Sequence, residues 1–182
     1  MANPYSLKEF QVGLAQRLKD AVTDPAPDSR LAVQVGGENW LLRLHEVGEV
    51  MPLAAVVDRI VPVPLSQPWY AGVANMRGNL VGVVDFAQFL GGSPTPATPA
   101  ARLVLIAERF QFLGALLVDR LIGLRNRDRY TGAAADAARE NGAAAPRWQA
   151  GDLRDRDGRL WHELDMAALL ADERFLAAGR WN

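Results

Sequence analysis

Apolar positions change their period along the chain, and the changes divide it. Between Ser6 and Val22 they recur at helical spacing. Leu7, Phe10, Leu14 and Leu18 share one face, and Ser6 with Glu9 forms a capping box. This predicts an amphipathic helix docked as an appendage, ended by the breaker-rich run Thr23 to Ser29 with Pro25 and Pro27. From Leu31 to Arg125 the apolar runs are short and separated by turn chemistry. Leu31 to Val35, the Gly36-Gly37-Glu38-Asn39 turn and Trp40 to Leu44 predict a hairpin. Val47 to Val50, Gly72 to Asn75, Leu80 to Asp85, Arg102 to Ala107, Phe112 to Val118 and Leu121 to Leu124 predict further strands. Ala54 to Ile60 fits helix or strand, and Pro62, Pro64 and Pro68 mark an extended connection.

Two of these strands, Leu80 to Val84 and Leu103 to Ile106, are apolar on both faces, as happens where a barrel packs against a neighbour. Val83-Val84-Asp85 and Leu117-Val118-Asp119 echo one another, which suggests two related halves, each aspartate ending a strand. The pattern fits a mainly β fold of two small barrels. Pro94, Pro96 and Pro99 make Gly91 to Ala100 a linker or long loop, and the alanine-rich stretch 131–147 reads as a surface excursion. Order returns at Trp148: Asp155 to Gly158 is a turn, Arg159 to Leu164 a strand, and Asp165 caps a final helix bearing Met166, Leu169 and Leu170. The expected organisation is a helix and linker over 1–28, one domain over 29–178 and a tail over 179–182.

Composition then narrows the function. With 20 basic and 21 acidic residues among 182, no long-range field draws the chain onto nucleic acid or acidic lipid. There is no cysteine, which excludes disulfides and thiolate metal sites. The start MANPYSLKEF does not read as a secretion signal, and no apolar run approaches the roughly 20 residues of a spanning helix. A cytoplasmic protein is expected. Reactive groups are scarce: His45 and His162 are the two histidines, and no serine lies in a nucleophile elbow. Asp155-Arg156-Asp157-Gly158 begins like a calcium loop, but Met166 stands where the closing glutamate belongs, so a hairpin turn is the better reading. Arg125, Arg127, Arg129 and Tyr130 offer an alternative, a small barrel binding single-stranded nucleic acid, which Asp128 and the net charge of −1 weaken. No enzyme activity, metal or cofactor is expected.

Tyr70 to Phe86 is the most informative segment. Gly72 and Gly78 bracket a short strand and tight turn from which Arg77 projects, and its guanidinium must reach water or a carboxylate. The glycine-valine strand, then Asn75-Met76-Arg77-Gly78 and an apolar strand ending Val84-Asp85, resembles the signature of the CheW-like adaptor family. Val47-Gly48-Glu49-Val50, Arg102 to Ala107 and Phe112 to Gly123 extend the resemblance in order. Trp148, the Asp155 to Gly158 turn, Trp161 and Phe175 resemble its twitching-motility, PilI-like branch. Met76 replaces the usual leucine or isoleucine, and Gly82 stands where chemotaxis versions usually carry proline.

The resemblance implies two SH3-like five-stranded barrels with a groove between them. It implies an adaptor that couples the cytoplasmic tip of a methyl-accepting chemoreceptor to the regulatory domain of a CheA-like histidine kinase, recruited to membrane receptor arrays and serving type IV pilus twitching motility. Val47, Gly72, Arg77, Gly78, Arg102 and Leu103 would line the receptor side, and Glu49 would hold Arg77 as an ion pair. Purified protein is expected to carry no metal. Stoichiometric zinc or iron by elemental analysis would overturn that expectation.

Overall fold

The computed structural model describes residues 28–133 and 146–179. The expected N-terminal helix, Ser6 to Val22, lies outside the described residues. A two-residue loop, Gly36-Gly37, sets β1 (Ser29–Val35) against β2 (Glu38–Arg43). Both glycines adopt positive φ, 57° and 85°, which a loop this short requires to follow the strand twist. β3 (Val47–Pro52) follows a single 3₁₀ turn. The ambiguous run Ala54 to Ile60 falls in two more such turns, Leu53–Ala55 and Val57–Arg59. β4 (Tyr70–Met76) and β5 (Asn79–Asp85) make a second hairpin, followed by helix α1 (Phe86–Phe89). Then come β6 (Arg102–Ile106), β7 (Gly114–Val118), β8 (Arg120–Asn126), β9 (Thr131–Ala133), β10 (Gln149–Arg154) and β11 (Leu160–Leu164).

The strands form two sheets, ordered β8-β1-β2-β11-β10-β9 and β3-β6-β7-β5-β4. The second is built from the continuous middle of the chain. The first joins strands from both sides of it, with β11 parallel to β2 and His162 opposite Trp40. Two expectations change here. The echoing strands are not equivalents in two halves, because β5 and β7 are parallel neighbours in one sheet, Val83 opposite Ala115. Closed five-stranded barrels are not seen either. The first sheet has six strands, and its edges β8 and β9 are joined by the 3₁₀ turn Arg127–Arg129 rather than by a ladder. In the second, β4's outer edge is occupied at Val73 by Val61, through hydrogen bonds of 2.7 and 2.9 Å, not by β3. Thr131–Ala133, the start of the expected excursion, pairs with β10 as β9, and 134–145 lie outside the described residues.

Side-chain alternation explains why these strands are apolar on both faces. Ala32, Leu41, Tyr130, Leu153 and Trp161 fill the concave interior of the first sheet. Ala74, Met76, Val81, Val83, Leu103 and Leu117 fill that of the second. The alternate residues, Leu31, Val33 and Leu42 from one sheet and Val84, Val104 and Leu116 from the other, meet in a shared layer. Trp69, Phe86, Phe89, Trp148 and Phe175 join it. Asp165 caps α2 (Met166–Leu170), accepting from the Ala168 amide at 2.9 Å. The expected single C-terminal helix is interrupted, and Asp172 caps a second, α3 (Glu173–Leu176).

Asp85 secures α1 against the loop of prolines. It is 4% exposed and accepts from the amides of Gln88 at 3.2 Å and Thr95 at 2.8 Å, and from the Thr95 hydroxyl at 2.8 Å. Asp85→Ala removes a helix cap and leaves two buried donors unpaired. It is expected to cost on the order of 3 kcal/mol, read as a lower urea midpoint at unchanged slope.

Candidate functional site

The tip of the β4–β5 hairpin carries Arg77 and Gly78, both left-handed, at φ 52° and 87°. The loop demands positive φ at both positions, although for arginine this costs on the order of 1 kcal/mol. Asn75 Oδ1 accepts from the Gly78 amide at 3.0 Å and holds the turn. Arg77 Nη2 donates to Glu49 Oε1 at 2.8 Å, with side chains 77% and 37% exposed. Glu49 belongs to β3 and Arg77 adjoins β4, the two edges of the second sheet, so the pair spans its open ends. At such exposure its contribution to stability is below about 1 kcal/mol.

Behind the pair lies a cleft of about 460 Å³, walled by Met51, Met76, Val81, Leu105 and Phe112, with Glu49, Arg77 and Glu108 among its polar members. It opens from the interior of the second sheet. A second hollow of about 320 Å³ shares Phe112 and Leu113 with it and reaches Tyr70, Leu80 and Leu176. Leu80, Leu113 and Leu176 are exposed by 62%, 60% and 56%, so the two hollows make one apolar tract. Burial pushes the Tyr70 hydroxyl above its ordinary pKa. A Cβ on Gly82 would sit 2.9 Å from the Tyr70 hydroxyl, so a proline there would displace this ring.

The residues expected on the receptor side do not gather in one place. Arg77 and Gly78 are exposed at the cleft rim, and Val47, partly buried, packs against the shared layer. Gly72 is a backbone device. At φ 136° its missing Cβ would collide with the Val61 carbonyl, so only glycine admits the segment that pairs with β4. Arg102 lies opposite Pro52, at the far end of β3 from Val47, and donates to the Pro99 and Ala101 carbonyls at 2.7 and 2.9 Å. Leu103 is corrected: it is fully buried inside the second sheet and cannot touch a partner there. Met76 stands in the signature segment, but nothing in the sequence pattern marks Met51, Phe112 or Leu113 as cleft residues. Phe112 and Leu113 were absorbed into a strand that in fact begins at Gly114.

The basic cluster dissolves as a stacking surface. Tyr130 is 6% exposed and packs edge-on to Trp161 at 5.4 Å inside the first sheet, while Arg127 Nη1 donates to the Tyr130 carbonyl at 3.0 Å. His162 Nδ1 lies 2.7 Å from Asp152 Oδ1 and its ring 4.9 Å from Trp40, a contact within the sheet. Asp155 forms the expected turn. Burial raises its carboxyl pKa, but the Trp161 indole and the Arg159 and Asp157 amides donate to it and hold it below the ordinary value. Among the described residues, no group of three or more histidines or carboxylates is placed to hold a metal, and no helix is long and apolar enough to cross a membrane.

Residues 30–174 match the family model described as the CheW-like domain. Protein PilI from Pseudomonas aeruginosa is 32% identical over 98 residues, 54% of this chain and 52% of that protein, so the chain spans about half the length of this curated relative in the match. The crystal structure of scaffolding protein TtCheW from Thermoanaerobacter tengcongensis superposes with a TM-score of 0.62 at 15% identity. That superposition covers 78% of this chain and 90% of the other, a likeness of fold.

The glycines and Arg77 separate by mutation. Gly72→Ala is expected to destabilise by more than about 2 kcal/mol, because its Cβ meets backbone, and Gly78→Ala by only about 1 kcal/mol. Arg77→Ala should cost less than about 1 kcal/mol. Denaturant melts of the three variants check the order.

Proposed function

We propose that this chain, which belongs to the CheW-like domain family, is a non-enzymatic adaptor that couples a methyl-accepting chemoreceptor to a CheA-like histidine kinase. The observation that carries the reading is the position of Arg77. It stands within the segment that resembles the family signature, on a hairpin tip, exposed, at the rim of an apolar cleft. A contact surface needs an apolar floor that a partner can cover and a polar group at its edge to fix register. The cleft and the Glu49–Arg77 pair supply both.

In this reading the receptor side narrows to Arg77, Gly78, the exposed part of Val47 and the apolar tract behind them. Gly72 serves by letting the 61–62 backbone approach, and Leu103 serves as core. Arg102, at the other end of β3, falls outside that side. The kinase regulatory domain takes a separate face, since an adaptor must hold both partners at once. In this reading, which the sequence similarity to PilI supports, the coupling serves type IV pilus twitching motility and the protein is recruited from the cytoplasm to receptor arrays.

Arg77→Ala tests this directly, because the exposed pair contributes little to folding. The variant should melt like wild type, lose affinity for the receptor tip by roughly thirtyfold, about 2 kcal/mol, and bind the kinase regulatory domain unchanged. Normal binding of both partners would remove the receptor assignment. Early melting with loss of both would make Arg77 a structural residue.

A further inference from the structure

The mouth of the Arg77 cleft is shaped by strained backbone in two places. Among the described residues, three non-glycine residues adopt positive φ, and two of them, Arg77 at 52° and Gln111 at 51°, line this cleft. Left-handed backbone is unfavourable for any residue with a Cβ, and such residues gather where a side chain must be held in place. Gln111 closes the 3₁₀ turn Glu108–Phe110, its amide donating to the Glu108 carbonyl at 2.8 Å. The turn fixes Glu108 and Gln111 together on the connection after β6, while Arg77 and Asn79 belong to the β4–β5 hairpin.

The charges at this mouth do not balance. Its ionised lining residues are Glu49, Arg77 and Glu108, two carboxylates against one guanidinium. Arg77 Nη2 takes Glu49 Oε1, and Glu108 has no ion-pair partner among the described residues. Arg109, next along the chain, is turned to the Phe110 ring, 5.5 Å from its centroid. The two carboxylates come from adjoining strands. A Cβ on Gly48 would stand 3.3 Å from the Ile106 carbonyl, so β3 is pressed against the end of β6, from which Glu108 follows. Beneath them the floor is apolar, and its methionines, Met51 and Met76, adapt to the shape of what they cover.

We propose that the cleft takes an arginine side chain of the receptor segment, its methylene stem on Met51, Met76 and Phe112 and its guanidinium meeting Glu108 and Glu49. This rests on the reading of the cleft as the receptor side, and adds the chemistry that side selects. A long cationic side chain suits both features, because it buries a hydrocarbon stem while its head stays at a polar rim. The guanidinium fork reaches two acceptors at once, which the point charge of a lysine does less well. A purely apolar side chain would desolvate Glu108 without a partner, and an acidic one would add a third carboxylate.

The test needs no partner protein. Of the four methionines, Met51 and Met76 line the cleft, while Met166 is fully buried between the sheets. The full chain, isotopically labelled in its methionine methyls and read by NMR, is titrated with hexylguanidinium and separately with hexanoate, at equal ionic strength. Hexylguanidinium should shift the Met51 and Met76 signals saturably, with an apparent Kd about tenfold below that of hexanoate, and leave Met166 in place. Glu108 is exposed, so Glu108→Gln should melt like wild type and bring the two probes within about twofold of each other. Preference for hexanoate would overturn the proposal by giving the cleft to an acidic group read by Arg77. Equal affinities, unmoved Met51 and Met76 signals, or an unchanged preference in Glu108→Gln would overturn it as well. None of these outcomes alters the receptor affinity expected of Arg77→Ala, so the two readings fail separately.

Discussion

The aromatic layer between the sheets is the constraint on which the architecture rests. Phe89 is its centre, with ring centroids of Trp69, Phe86, Trp148 and Phe175 at 5.2 to 6.1 Å. The Arg174 guanidinium stands 4.4 Å over the same ring. These side chains come from the connection before β4, from α1, from the approach to β10 and from α3. None of those elements is long enough to be stable alone, since α1 and α3 have four residues each. Packing across the layer holds them, and Asp85 and Asp172 satisfy their N-terminal amides. The two sheets are placed by what is wedged between them rather than by a ladder joining them.

Local chemistry made much of this legible in the sequence, and non-local pairing hid the rest. The Gly36-Gly37 hairpin, the Arg77-Gly78 turn, the Asp155 turn and the Asp165 cap are each specified by residues close in sequence. The doubly apolar strands announced a shared layer. Nothing local, however, tells that β11 lies parallel to β2, or that Val83 and Leu117 belong to neighbouring strands rather than to two repeats. Ala54 to Ile60 was ambiguous because a short apolar run serves 3₁₀ turns as well as helix or strand. At the candidate site, the resemblance implied Glu49 as the carboxylate for Arg77, and the two side chains lie 2.8 Å apart. Leu103 came to the receptor side only through the family resemblance, while alternation along β6 turns its side chain inward.

In the proposed reading, stability and partner contact fall to different residues of the same hairpin. Gly72 is irreplaceable for packing yet offers no side chain to a partner. Arg77, 77% exposed in its side chain, adds little to the fold. The tip residue can therefore change without a matching loss in the sheet beneath. The buried pairs behave oppositely. Arg30 and Glu163, 2.8 Å apart and almost sealed, hold their charges away from water, so loss of either would weaken the fold rather than a contact surface.

That buried pair also has a consequence for the order in which a nascent chain becomes a protein. Its members are 133 positions apart, and they join the first hairpin to the last strands. A ribosome releases β1 and β2 early, with Trp40, Leu41 and Leu42 facing water, and their strand partner β11 is made near the end. The middle of the chain meanwhile contains every strand of the second sheet. The second sheet thus matures around a hairpin that must wait, and the closing of the first sheet is the late, high-contact-order event. During that wait the hairpin's two apolar faces are the part of the chain most in need of protection from aggregation.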